Sequence, residues 1–179
     1  MAYAARCTGL TLIELLVALA IGAVLLTVAV PGYAHWIAAY QLRNQAEQLA
    51  SSLSLARSEA VKRGQRVNLC PAPAGARCVT GGNWCAGWVV HVDPDRDGAI
   101  GDAEPILRVE RPGVAAVRIT ANRPLADYVS FTPLGHARLV NGALQMGTFT
   151  VCRAGLPATK VIVANSGRVR VERTAELCG

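Results

Sequence analysis

The sequence predicts an α+β protein in which a long N-terminal membrane-spanning helix packs on one or two antiparallel β-sheets. Three observations lead there. An apolar run of 21 residues extends from Leu10 to Val30, broken only by the charge of Glu14. Apolar residues then continue at helical spacing as far as Lys62-Arg63-Gly64, and beyond Gly64 the apolar period changes to two.

At about 1.5 Å of rise per residue, roughly 20 apolar residues cross the hydrocarbon core of a bilayer, so the first run is long enough to span it. It is too long for the roughly 7–15-residue apolar segment of a secretory signal peptide. A carboxylate inside it costs about 2.5 kcal/mol or more without a partner, which marks Glu14 as functional. If the chain is cut after Gly9, the new amine of Leu10 stands four residues before Glu14. That spacing places both groups on one helical face. Alternatively, the carboxylate of one copy neutralises the amine of a neighbour, a device that a bundle of copies needs and an isolated span does not.

Pro31-Gly32 predicts a kink. Beyond it Leu42, Ala46, Leu49, Leu53, Ala56 and Ala60 recur in steps of four and three, the stripe of an amphipathic helix. Lys62 and Arg63 suit the negative helix end, and Gly64 supplies a left-handed cap. The spacing therefore predicts one helix from Leu10 to Arg63. Eight segments of period two follow: Arg66–Cys70, Gly87–Asp93, Ile106–Glu110, Ala116–Thr120, Tyr128–Phe131, Thr148–Cys152, Lys160–Ala164 and Arg168–Arg173. The short intervals leave no room for crossover helices, which makes the pairing antiparallel.

Six cysteines suit an oxidising compartment. Cys7 precedes the cut, leaving five, and two disulfides plus one spare thiol is the simplest count. Two bridges among five cysteines allow fifteen connectivities. The pairing taken here is Cys70–Cys78 with Cys152–Cys178, the second fastening the C-terminal tail. The spacing lacks the short paired knuckles of a structural zinc site. Charge is uneven: from Leu10 to Pro105 the net is −1, and from Ile106 to Gly179 it is +6. A basic distal half points to an anionic partner.

Signals for catalysis are poor. His35, His91 and His136 are isolated, and neither a nucleophile elbow nor a phosphate-cradling Gly loop is present, so no enzyme is expected. No cofactor is expected either, with calcium as the one candidate. Asp93, Asp95, Asp97 and Gly98, with Glu104 at the twelfth position, match the spacing of a calcium loop. Arg96 inside the loop and the flanking strands favour a solvated turn.

The segment from Lys160 to Arg173 carries the clearest binding signal. Asn165-Ser166-Gly167 supplies turn residues between two alternating strands, a hairpin. Val169 and Val171 are expected to face the core, so Arg168 and Arg170 project together from the other side, separated by roughly 6.6 Å. That arrangement suits successive phosphates on a strand, and Lys160, Arg173 and Arg153 widen the patch. The alternative is an edge strand decorated with charge against aggregation.

Gly9, Thr11-Leu12-Ile13-Glu14 and the apolar residues after them resemble the type IV pilin and pseudopilin signature. Leu10 stands where that family usually has Phe. The resemblance implies a leader over 1–9, cleavage after Gly9 by a prepilin peptidase, N-methylation of Leu10, and an assembly role for Glu14. It also implies single-pass anchoring in the inner membrane, a periplasmic globular domain, and incorporation into a pilus through contacts with other pilins. The helix then covers 10–63 and a pilin-like globular β domain covers 64–179. Further segments are similar to the GspH/FimT group of minor pilins: 55–63 ahead of 67–70, 87–90, 131–135 and 166–170. Gly167, Arg168 and Arg170 match the Gly-Arg-x-Arg motif of the FimT branch, which implies binding to the DNA backbone in natural transformation. The GspH branch implies a structural pseudopilin of type II secretion instead.

Overall fold

The structure, a computed structural model, describes residues 11–73, 77–81, 83–111 and 113–178. Helix α1 runs Leu12–Arg63 and passes through Pro31 as one continuous element. The chain divides into two units between Ala38 and Ala39. In the first, the large apolar side chains described between Leu12 and Val30 are exposed by 50–77%. This stretch is long and apolar enough to cross a membrane.

The second unit holds the rest of α1 and all the strands. This unit takes in the part of α1 whose apolar stripe was expected to pack on the globular domain. Leu42 is 5% exposed, and Ala46, Leu49, Leu53, Ala56 and Ala60 are fully buried.

The strands are β1 (Val67–Pro71), β2 (Trp88–Val92), β3 (Ile106–Glu110), β4 (Arg118–Ala121), β5 (Val129–Phe131), β6 (Gly147–Cys152), β7 (Pro157–Val163) and β8 (Val169–Leu177). They form two four-stranded sheets, β3-β2-β1-β5 and β4-β6-β7-β8, with every ladder antiparallel. All eight segments of period two are strands. β7 begins earlier than expected and β8 ends later, since their ladder continues across an irregularity to pair Pro157 with Leu177. A 3-10 turn at Trp84–Ala86 seats Trp84 edge-on to Phe149, the ring centroids 4.9 Å apart.

Two disulfides are present, Cys70–Cys78 and Cys152–Cys178. The second joins β6 to the residue just after β8. Cys85 is free, and its sulfur accepts the Ile119 N–H at 2.9 Å.

β8 corrects one expectation. Val169 and Val171 do stand opposite the buried Val163 and Val161, yet Val171 is 44% exposed. The reason is position: β8 is the sheet edge, so nothing covers its flank.

Candidate nucleic-acid interface

Three segments far apart in sequence meet at the β7–β8 turn. Within the turn, Gly167 N donates to Ala164 O at 2.8 Å and Ala164 N donates to Arg168 O at 3.0 Å. Ala137 N donates to Asn165 O at 3.1 Å, which fastens the turn to the loop after β5. Arg57 Nε of α1 donates to Gly135 O at 3.0 Å, fastening the same loop to the helix. Gly167 has φ +78°, and a Cβ built on it would lie 1.9 Å from Gly135 O and 3.0 Å from Arg57 Nε. Glycine is required here both for the left-handed backbone and for the close approach.

The five cations read from the sequence do not form one patch. Arg168 is exposed in the turn and lines a cleft with Ser54, Arg57, Ser58, Val61 and Lys62 of α1. Arg170 is exposed on β8 opposite Ile162, and its guanidinium lies 3.6 Å from the Glu172 carboxylate. Lys160 stands opposite Glu172, and its ammonium is 3.4 Å from Glu176. Arg173 stands opposite Thr159, an odd number of residues from Arg170, and so occupies the other face. Arg153 is half-buried and donates to Gln41 Oε1 of α1. Arg57 and Lys62 were missed as binding candidates: in the sequence they are ordinary members of a helix end, and only the tertiary contact sets them beside Arg168.

At the N-terminus, Gly9 and Leu10 lie outside the described residues. Glu14 has a local partner in Thr11, whose N–H and hydroxyl donate to Glu14 Oε2 at 2.8 and 3.0 Å. The Glu14 N–H donates back to Thr11 Oγ1 at 3.3 Å. This reciprocal pair is a capping box, which satisfies the first free donors of α1. The Thr-x-x-Glu spacing was a legible signal for it.

Of the calcium candidates, Asp93, Asp95 and Asp97 are together, each offering an oxygen within 4.8 Å of the others. Glu104 is not with them. Its Oε2 accepts the Gly101 N–H at 2.9 Å and lies 3.3 Å from Nδ1 of the buried His91. The three aspartates are already used by the chain. Asn68 Nδ2 donates to Asp93 Oδ2 at 2.5 Å, Asp97 N to Asp93 Oδ1 at 3.2 Å, and Ala99 N to Asp97 Oδ1 at 2.7 Å. These are the bonds of a tight turn, with Arg96 taking the left-handed position at φ +66°.

Burial pushes the Asp93 carboxyl above its ordinary 3.8; the amide of Asn68 works against that rise and the Asp95 carboxyl adds to it. Folding therefore favours its protonated form. The penalty for the charged form is absent in acid and grows as pH rises from the unfolded value through the raised folded one. Asp93→Asn removes this titration. In urea unfolding, the stability of the wild type relative to the variant should fall as pH rises from the ordinary carboxylate range. A flat difference would mean that Asp93 keeps its ordinary affinity for a proton.

Residues 45–167 match the family described as Type II transport protein GspH, and residues 4–30 match the prokaryotic N-terminal methylation motif. No curated protein matches the chain. In fold it is similar to the type IV minor pilin FimU of Pseudomonas aeruginosa. For one crystal form the TM-score is 0.58 at 22% identity, covering 74% of this chain and 89% of that one. For a second form the TM-score is 0.53 at 21% identity, covering 73% and 91%. It is also similar to the minor pseudopilin EpsH from the Type 2 Secretion System of Vibrio cholerae, with TM-score 0.51 at 12% identity, covering 76% and 99%. At such identities the likeness is one of fold.

Proposed function

Since the chain belongs to the GspH family of minor pilins and pseudopilins, we propose that it is a minor type IV pilin of the FimT kind, which assembles into pili and binds DNA for uptake in natural transformation. A prepilin peptidase cleaves after Gly9, and Leu10 is then methylated. The first part of α1 holds the protein in the inner membrane with the globular domain in the periplasm, and it later packs among the helices of other pilins. The exposed apolar side chains described between Leu12 and Val30 support this, since only lipid or neighbouring helices would cover them. Glu14, satisfied by Thr11 in the single chain, serves as the partner of a subunit amine during assembly.

The observation that carries the DNA reading is the turn itself. Gly167 is locked against Gly135 and Arg57, which holds the exposed Arg168 in a defined place beside the exposed Arg170. Arg guanidinium is suited to phosphate oxygens because its planar fork donates two parallel hydrogen bonds. With few phosphates engaged, binding is modest, insensitive to base sequence and weakened by salt. Replacing both Arg168 and Arg170 by Gln should weaken binding in a gel-shift titration and lower the log–log salt slope by about two on duplex DNA, at an unchanged melting temperature. Unaltered affinity would remove the DNA reading.

One feature favours a second reading, a structural minor pseudopilin of type II secretion. The outer face at this sheet edge mixes charges of both signs, with Arg170 beside Glu172 on β8 and Lys160 of β7 beside Glu176. That is how an exposed edge strand is kept from unwanted pairing. Neighbouring genes, for pilus assembly or for secretion, separate the two readings.

A further inference from the structure

We propose that the cleft between the end of α1 and the β7–β8 turn is a phosphate-binding groove, in which Arg57 and Lys62 act with Arg168 to hold one phosphodiester of a nucleic-acid strand. This rests on the DNA-binding reading above and moves the main contact from the outer face of the hairpin into the groove.

Charge makes the first case. Among the described residues, the groove is lined by Arg57, Lys62 and Arg168 and by no carboxylate. On the outer face, Arg170 and Lys160 each have a glutamate within 4 Å. A phosphate approaching the outer face displaces a glutamate from each cation, whereas in the groove Arg57 and Arg168 have no carboxylate beside them among the described residues. The nearest acid along the helix is Glu59, which is engaged by Arg63 at 2.6 Å. Its contact with Lys62 is looser, at 3.8 Å, and the Lys62 side chain is 77% exposed. Such an exposed pair is worth little, so Lys62 is free to turn to an incoming anion.

Preorganisation makes the second. Arg57 Nε is held by Gly135 O, which fixes the guanidinium plane, while among the described residues its terminal nitrogens have no partner. Arg168 sits in a turn that the Gly167–Gly135 approach makes rigid. Side chains ordered before binding lose less entropy on gripping a ligand. Ser54, Arg57, Ser58, Val61 and Lys62 follow one another at helical spacing, so the helix wall presents its cations along a single face.

Shape chooses among anions. The groove measures about 470 Å³, within the range of small-ligand clefts. Val61 and Val169 give it an aliphatic floor. A bare inorganic anion makes no use of that floor, whereas the sugar beside a backbone phosphate does.

The test uses the full-length chain in nanodiscs of zwitterionic lipid, with fluorescein-labelled single-stranded and duplex oligonucleotides followed by anisotropy. Lys62→Glu should weaken binding about tenfold and Lys62→Gln about threefold, with a shallower salt slope. Arg170→Glu should cost less than Lys62→Glu. Lys62 is solvent-exposed, so these variants fold, and a melting curve checks it. If both Lys62 variants bind within about twofold of wild type while the Arg168/Arg170 double variant loses affinity, the groove is wrong and the DNA reading stands. If the wild type itself binds neither oligonucleotide, both fall.

Discussion

Gly167→Ala should destabilise the globular unit by about 3 kcal/mol or more, lowering its melting temperature by about 6–12 °C. Two costs combine. At φ +78° an L-residue pays about 1 kcal/mol for the left-handed backbone. The larger cost is steric, because the new Cβ would sit 1.9 Å from Gly135 O. Both sides of that clash are backbone, so no side chain can rotate away. Relief requires the turn and the loop after β5 to separate, which breaks the Ala137–Asn165 and Arg57–Gly135 hydrogen bonds, each worth about 1 kcal/mol net. Gly142→Ala isolates the conformational part: its φ is +87°, and nothing lies within 4 Å of the added atom. Equal losses for the two variants, read by circular dichroism on heating, would show that the close approach contributes nothing.

Removing the Cys152–Cys178 bridge, by Ser at both positions, should cost about 3.5 kcal/mol from the entropy of its 26-residue loop. Removing Cys70–Cys78, which closes 8 residues, should cost about 2.5 kcal/mol by the same relation. The larger effect has a local signature as well. β8 is held at its start by the Gly167 turn and at its end by Cys178, while its outer flank is unpaired. Without the bridge the strand should fray from Leu177 backward, so limited proteolysis should cut near the C-terminus before the rest of the domain is touched. A reduced variant as resistant as wild type would show that the ladder to β7 holds the strand alone.

Much of the architecture was legible because helix and strand burial repeat with fixed local periods. Leu42, Ala46, Leu49, Leu53, Ala56 and Ala60 follow the helical period, and all six are in the core. The change of period after Gly64 marked all eight strands, although their ends shifted where pairing, rather than composition, sets the limit. The Thr11–Glu14 capping box was equally local. What periodicity does not carry is the identity of neighbours across a sheet. The charges of β8 offered an edge strand as one of two readings, and the strand order places it at the edge; the exposure of Val171 and the pairing of Arg170 and Lys160 with glutamates followed only from that order. Glu104 shows the same limit: spacing along the chain does not reveal that its carboxylate lies 3.3 Å from the buried His91, which only the fold brings near.

By itself, the sequence determined the long helix with its exposed apolar half, the buried stripe, the antiparallel strand content and the family signature around Glu14. These are properties of short windows, in which hydrophobic period and capping chemistry act without reference to the rest of the chain. The tertiary structure alone decided which glycine is irreplaceable and which cations share a groove, while the cysteine pairing it carries, Cys70–Cys78 with Cys152–Cys178, is the one taken from the sequence. Arg57, Gly135 and Gly167 are separated by 78 and 32 positions, and their meeting depends on strand order and on the path of the loops between them. A phosphate-binding surface is made of such meetings, since charge acts through space rather than along the chain.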